Sequence, residues 1–185
     1  MRLFVALEIP AAVREAFAGL INEMRAIAPK VKWVRPENLH VTLKFIGHTA
    51  PEKLDAIKAS LETVRSGGVM IAFCGLGFFP NEKRAQVLWA GVEASANLAA
   101  LAGDVDRALT TVGCAAETRE FKPHLTLARF DPQGMPAAMC KVVERNATRA
   151  FGTLRAGAFH LMLSKLKPAG AEYTTLRSFP FAAEG

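Results

Sequence analysis

The sequence predicts an α+β fold in which two pseudo-symmetric lobes, each an antiparallel sheet with outer helices, surround a central cleft. Segments with strand periodicity and segments with helix periodicity come in pairs rather than in strict alternation, which favours antiparallel sheets. A short motif occurs twice, 84 residues apart, which is close to half of the 185 residues. Apolar residues make up 51% of the chain, enough for a sizeable core. We therefore expect residues 1–185 to form one domain made of two lobes, with one motif in each.

Periodicity and turn signals predict the elements in order. Residues 2–9 alternate as a half-buried strand does, and residues 11–28 carry apolar side chains at helical spacing between two prolines. Residues 31–45 indicate a strand region with a turn at 36–38, and a capping-box pattern at 49–52 begins a second helix. The same criteria predict strands at 69–74 and 86–92, separated by a loop with Gly75, Gly77 and Pro80. They then predict a helix at 94–112, a strand at 124–130 and a helix at 136–145. The last predicted elements are strands at 159–164 and 173–179, joined by a turn at 167–170.

Composition excludes several classes of protein. Charged residues are 22% of the chain, so a disordered, charge-dominated chain is excluded. No apolar run approaches the roughly 18 residues of a membrane-spanning helix, and Glu8 and Pro10 interrupt a start that resembles a signal peptide. The three cysteines lie far apart and indicate neither a disulfide framework nor a zinc site. We expect a cytoplasmic protein that does not bind membranes.

Two histidines occur in nearly identical contexts. The motif H-x-T-L begins at His40 and again at His124. Because side chains alternate along a strand, His40 shares a face with Thr42, and His124 shares a face with Thr126. A single His-x-Thr on a strand is usually a surface or a satisfied core residue, but two copies with matching flanks indicate a site. If a two-fold relates the lobes, the two pairs face each other across the cleft.

This pattern fits phosphodiester chemistry. An imidazole with a pKa near 6.5 can act as acid or base at cellular pH, and two of them suit in-line displacement at phosphorus. The threonine hydroxyls can donate hydrogen bonds to the non-bridging oxygens. The chemistry requires no metal and no cofactor, and no acidic or cysteine ligand lies near either copy. His48, just beyond Gly47, is interpreted as part of a loop or a helix entry, and His160, which has no threonine partner, is interpreted as structural.

The doubled motif resembles that of the 2H phosphoesterase superfamily, and within it the RNA 2′,3′-cyclic phosphodiesterases first named 2′-5′ RNA ligases. The resemblance extends over nearly the whole chain, including residues 2–7, 33–47, 77–80, 87–91, 121–129, 163–164, 170 and 173. It implies metal-independent and ATP-independent opening of a 2′,3′-cyclic phosphate to leave a 2′-phosphate. It also implies that the reverse reaction can join RNA through a 2′-5′ bond.

The resemblance assigns roles to six residues of this chain. His40 and His124 match the catalytic histidines, with His40 as the acid that protonates the 3′ oxygen and His124 as the base that activates water. Thr42 and Thr126 match the phosphate-binding threonines. Arg129 matches a phosphate-contacting arginine, although strict alternation places it on the opposite face unless the strand ends or bulges before it; its counterpart in the first copy is Phe45. Phe4 either lines the cleft and stacks a base or belongs to the core.

Several interpretations remain open. The 23 basic and 17 acidic residues give a net charge of +6, concentrated after residue 140, which indicates either a solvated surface or attraction of polyanions. The partner we expect is RNA with a 2′,3′-cyclic phosphate end. The alternatives are a cyclic phosphodiesterase acting on small nucleotides or on 2′-5′ oligonucleotides, and a non-catalytic RNA-binding module. An ATP-dependent ligase is the third alternative, but K-x-x-G occurs at both 44–47 and 167–170 and so carries little information, and the sequence has no Walker-type loop. A monomer is expected because one chain holds both half-sites.

Overall fold

Strands and helices follow the chain in the order that the sequence indicates. A computed structural model describes residues 1–131, 135–168 and 170–182. These residues form nine strands and four helices: β1 Arg2–Glu8, α1 Ala11–Ile27, β2 Lys32–Trp33, β3 His40–His48, α2 Leu54–Leu61, β4 Val69–Phe79, β5 Val87–Ala94, α3 Asn97–Thr111, β6 His124–Arg129, α4 Ala138–Arg145, β7 Ala150–Ala156, β8 Ala158–Lys167 and β9 Gly170–Pro180. The predicted α+β class is confirmed.

The strands form one continuous sheet whose two halves have the same number of strands on either side of a central pair. Its order is β7-β4-β5-β6-β3-β1-β8-β9, with the short β2 also on β6, and every pairing is antiparallel. The strands that begin with the two motif histidines, β3 and β6, are neighbours at the centre. Three further strands continue outward from each of them. The two lobe sheets are therefore joined edge to edge rather than separate.

Helices cover one face of this sheet, and the main core lies beneath them. Helix α1 buries Phe17, whose ring stacks on Phe151 and meets Phe73 edge-on. From the motif strands, the alternate residues Val41 and Leu125 enter the same core and are fully buried. The opposite face of the sheet, which we name the motif face, carries the histidines and threonines. Burial of the aliphatic set on one side thus fixes which side chains the other side presents.

Three elements differ from the sequence-based expectations. Helix α2 begins at Leu54, after a 3₁₀ turn at Pro51–Lys53, and no side-chain capping hydrogen bond is present, so the predicted capping box at residues 49–52 is wrong. The predicted loop at Gly75, Gly77 and Pro80 is wrong over most of its length, because β4 continues to Phe79. The strand accommodates an extra residue at Gly75, whose φ of +71° suits glycine, and pairing with β5 resumes beyond it. Strand β7 has no predicted counterpart, since its buried residues do not alternate regularly. Residue 169 of the predicted 167–170 turn lies outside the described residues.

A buried ion pair links the first motif strand to the segment that precedes the second. The Lys44 side chain, in a residue only 5% exposed, donates from Nζ to Asp106 on α3 and to the carbonyl of Ala115 at 2.7 Å. Asp106 also accepts a hydrogen bond from the backbone N–H of Glu117 at 3.0 Å. The network holds the 115–117 segment against α3, a few residues before His124.

Candidate active site

The two motifs meet across the central strand pair. Val41 lies directly opposite Leu125 in the antiparallel pairing of β3 with β6. Continuing that register places His40 beside Thr126 and Thr42 beside His124. The four predicted side chains therefore occupy one compact patch of the motif face, with each imidazole next to the hydroxyl of the other copy.

Both imidazoles are held in the same way. Nδ1 of His40 lies 2.7 Å from the carbonyl oxygen of Asn38, and Nδ1 of His124 lies 2.7 Å from that of Lys122. A carbonyl oxygen can only accept, so each Nδ1 carries the proton and donates it. Each ring is left with Nε2 as the atom that exchanges protons. Asn38 is itself held in position by a hydrogen bond, because its Nδ2 donates to the carbonyl of Ala171 at 2.7 Å.

Aromatic rings flank both histidines. The Phe4 ring lies 4.8 Å from the His40 ring and the Tyr173 ring 5.3 Å from it, while Phe79 meets His124 edge-on at 5.0 Å. Phe4 belongs to a small apolar cluster of the motif face, separate from the main core, and is only 3% exposed. It therefore lies beside the site while being buried. Sequence reasoning gave no role to Tyr173 or Phe79, since the pairing that brings them to the histidines connects distant segments.

A β-bulge at the same position in each motif strand turns the following residues toward the motif face. Pairing steps from Thr42 to Lys44 against successive residues of β1, and from Thr126 to Ala128 against successive residues of β5. Leu43 and Leu127 are the extra residues, and they break the strict alternation. Arg129 consequently reaches the motif face, and so does its counterpart Phe45. The condition set by the sequence for Arg129, a bulge before it, is present.

The family model described as LigT-like phosphoesterase matches residues 7–89 and 91–173. The RNA 2′,3′-cyclic phosphodiesterase of Archaeoglobus fulgidus is 36% identical over 179 residues, covering 97% of this chain and 99% of that protein. The chain belongs to the LigT-like phosphoesterase family. The prediction of a phosphoesterase of the 2H type is thereby confirmed.

Solved structures of LigT-like proteins share the fold. A protein of Thermus thermophilus has a TM-score of 0.83 at 30% identity, with 100% of both chains covered. Escherichia coli LigT in complex with 3′-AMP has a TM-score of 0.77 at 26% identity, with 98% of both chains covered. The two segments matched by the family model are of equal length and 84 residues apart, the same offset as that of the two histidines.

The electrostatic environment of this phosphoesterase's site is positive. Burial lowers the pKa of His40 below its usual range, the Asn38 carbonyl acts in the opposite direction, and the charges of Arg129 and His124 lower it further. Burial also raises the pKa of Tyr173, against the effect of Arg129 and Arg2. The same guanidinium acts on His40 and on Tyr173, in agreement with the position of Arg129 on the motif face after the bulge at Leu127.

We expect the Arg129→Gln substitution to raise the pKa of His40, because it removes a positive charge that disfavours the imidazolium. An NMR titration of the His40 ring protons measures this. In the unsubstituted protein the midpoint should lie below about 6.5, the usual value for histidine. The exposed Arg65→Gln is the control and should leave the midpoint in place. If the titration midpoint of His40 is unchanged in Arg129→Gln, the assignment of Arg129 to the site is refuted.

The other two histidines do not belong to this four-residue patch, although His160 pairs with Ala6, which in turn pairs with Thr42. Nδ1 of His160, on β8, is 2.9 Å from the hydroxyl of Ser178, and burial lowers the pKa of that imidazole. His48 is exposed at the end of β3. Among residues 1–131, 135–168 and 170–182, no three His, Cys, Asp or Glu side chains are grouped so that they could hold a metal ion. No helix within that part of the chain is long and apolar enough to span a membrane.

Proposed function

We propose that this phosphoesterase opens 2′,3′-cyclic phosphates at RNA ends to leave 2′-phosphates, with His40 and His124 as its acid and base and without a metal ion. The observation that carries the proposal is the paired arrangement on β3 and β6, where each imidazole lies beside the threonine of the other motif and is held at Nδ1 by a main-chain carbonyl. The relatives from Archaeoglobus fulgidus and Methanothermobacter thermautotrophicus are both named RNA 2′,3′-cyclic phosphodiesterases, and the second is 29% identical over 181 residues.

The reaction requires a base that accepts one proton and an acid that donates another. A water oxygen attacks phosphorus while the basic imidazole accepts its proton, and the bond from phosphorus to the 3′ oxygen breaks as the acidic imidazole donates to that oxygen. The family resemblance makes His40 the acid and His124 the base. Cyclic ester and water are consumed, and a 2′-phosphomonoester with a free 3′-hydroxyl is formed. With a 5′-hydroxyl in place of water as the attacking group, the same steps would join two RNA ends through a 2′-5′ bond.

Hydrogen-bond donors from both halves of the sheet are available to stabilise the negative charge of the phosphate. The Thr42 and Thr126 hydroxyls lie beside the imidazoles and are suited to donate to the non-bridging oxygens. Arg129 adds a guanidinium, which binds phosphate oxygens as paired donors. Donors fixed in advance at the developing charge are usually the largest contribution to such catalysis. Tyr173, which is half-buried next to His40, provides the surface on which we place the terminal nucleoside, and the buried Phe4 packs against its ring.

The decisive experiment maps the product. An RNA ending in a 2′,3′-cyclic phosphate is incubated with the protein, in EDTA and without ATP, and the end group is identified. We expect a 2′-phosphate and no 3′-phosphate. Tight binding without any product would instead support an RNA-binding module, and dependence on ATP or on a divalent metal would contradict the mechanism. Gel filtration with light scattering tests the monomer that we propose from the presence of both half-sites in one chain.

A further inference from the structure

The two motif histidines are held by identical hydrogen bonds, but the residues that supply the two carbonyls are fixed differently. Asn38 is bound to a distant strand, because its Nδ2 donates to the Ala171 carbonyl of β9 at 2.7 Å. The Lys122 side chain, which is 64% exposed, instead pairs at 3.3 Å with Glu120, two residues before it. One carbonyl therefore belongs to a residue anchored across the sheet, and the other to a residue whose side chain pairs within its own segment.

The Asn38 anchor connects the inner and outer strands of the first half of the sheet. In the order β3-β1-β8-β9, Ala171 lies three strands away from the strand that follows Asn38, and 133 residues separate the two along the chain. Strands lie about 4.8 Å apart, so in a flat sheet this distance would be about 14 Å, beyond the reach of an asparagine. The hydrogen bond therefore requires this half of the sheet to curl until β9 reaches the loop before β3.

A second contact brings β9 to the same imidazole. The Tyr173 ring, two residues after Ala171, lies 5.3 Å from the His40 ring, and the Phe4 ring lies 5.0 Å from that of Tyr173. Asn38 connects the carbonyl at Nδ1 of His40 to the same strand. The position of β9 and the orientation of the imidazole are thus coupled at two points.

The turn that carries Asn38 is short. It is a single 3₁₀ turn, Pro36–Asn38, in which the N–H of Asn38 donates to the carbonyl of Arg35 at 2.8 Å and the N–H of Leu39 to that of Pro36 at 3.2 Å. Hydrogen bonds of 3₁₀ turns have poorer geometry than those of α-helices. A long-range bond to this turn consequently has a large effect on the direction of its carbonyls.

We infer that Asn38 is a positioning residue, whose side-chain amide holds the loop before β3 against β9 and thereby fixes the carbonyl that accepts the Nδ1 proton of His40. The inference rests on the proposed function only for its effect on turnover. A ring that keeps its proton on Nδ1 presents Nε2 to the reacting atoms. By the same reasoning the His124 ring should not depend on the Lys122 side chain.

The first test is the tautomer of His40 in the protein without substrate, measured by NMR of ¹⁵N-labelled histidine rings at a pH where they are neutral. We expect the Nδ1–H form in the unsubstituted protein and a mixture of both tautomers in Asn38→Ala, which keeps the main-chain carbonyl but lacks the amide. Lys122→Ala should leave the tautomer of His124 unchanged. An unchanged His40 tautomer in Asn38→Ala would overturn the inference.

The hydrogen bond can also be tested without any substitution. A bonded side-chain N–H is protected from exchange with solvent, so the Asn38 Nδ2 proton that faces Ala171 should exchange more slowly than that of an exposed asparagine. Exchange at the rate of an exposed amide would overturn the inference even if the variants failed to fold.

Turnover gives a further test. Asn38→Ala should lower kcat for cyclic-phosphate opening by about tenfold and change KM less than about twofold, a smaller effect than the roughly 10²-fold that a misplacement of about 1 Å can cause. Asn38→Asp keeps the size of the side chain but puts an acceptor against the Ala171 carbonyl. At its own pH optimum this variant should lose at least as much kcat, and full kcat in Asn38→Asp would overturn the inference.

Asn97 provides the matched control. Its Nδ2 likewise donates to a main-chain carbonyl, that of Gly68, at 2.7 Å, but at the start of α3. Asn97→Ala should therefore lose a comparable hydrogen bond without any loss of kcat and without any change in the His40 tautomer. Equal losses of kcat in Asn38→Ala and Asn97→Ala would attribute the effect to general destabilisation and overturn the positioning role.

The NMR and kinetic measurements separate this inference from the proposed function. A change of the His40 tautomer in Asn38→Ala, in a protein that opens no cyclic phosphate, would retain the positioning role and refute the hydrolase. Hydrolysis in which Asn38→Ala changes neither kcat nor the His40 tautomer would retain the hydrolase and refute the positioning role.

Discussion

His40→Ala and His124→Ala are each expected to lower kcat for cyclic-phosphate opening by about 10²- to 10⁴-fold, the usual contribution of a positioned acid or base. Each variant removes an imidazole whose Nε2 is held toward the reacting atoms by a carbonyl at Nδ1. Because acid and base act in the same step, the double variant should be little slower than either single one. Single-turnover kinetics with saturating enzyme in excess of substrate measure the effect on the chemical step.

The control for this experiment is another histidine of the same strand. His48, exposed at the far end of β3, should be replaceable by alanine with no loss of kcat. A substrate with sulfur in place of the 3′ oxygen has a leaving group that needs no acid, so it should restore activity to the variant that lacks the acid. By the family resemblance that variant is His40→Ala, and restoration of His124→Ala would exchange the roles. Full activity in either alanine variant would refute the two-histidine mechanism.

Asp106→Ala is expected to destabilise the fold by about 3–5 kcal/mol, since it leaves the ammonium of Lys44 buried without its counter-charge. Each kcal/mol lowers Tm by roughly 2–4 °C in a chain of this size. Loss of the carboxylate also removes the acceptor of the Glu117 N–H. Denaturant titration followed by circular dichroism gives the change in the free energy of unfolding.

The exposed pair Lys32–Asp131 is the matched comparison, because its side chains are 68% and 49% exposed. Asp131→Ala should cost less than about 1 kcal/mol, as surface ion pairs do. Replacing both buried partners, in Lys44→Met with Asp106→Leu, should recover much of the stability lost in the single variant. Equal losses for the buried and the exposed pair would show that burial of Lys44 does not govern the cost.

Local sequence was enough to predict that each motif histidine shares a strand face with its threonine, because alternation along a strand is a local property. His40 and Thr42 share a face wherever β3 lies, and the same holds for the second copy. Whether Arg129 shares that face depends on the bulge at Leu127, which arises from pairing with β5, a strand that comes before α3 in the chain. Tyr173 reaches His40 only through the pairing of β9 with β8 and of β8 with β1. Such long-range contacts leave no local pattern, and neither does the direct pairing of β3 with β6.

The identical anchoring of the two imidazoles has a consequence for the catalytic cycle. In the proposed reaction one ring begins protonated and the other neutral, and each turnover ends with these states exchanged. The net effect is the transfer of one proton from the histidine on one central strand to the histidine on the other, between β3 and β6. Both rings are held at Nδ1 by a main-chain carbonyl rather than by a carboxylate, so no fixed negative charge behind either ring favours one state over the other. Solvent must therefore return the proton before the next forward cycle. An enzyme that has just finished one turnover is, by contrast, already in the protonation state that the reverse reaction requires.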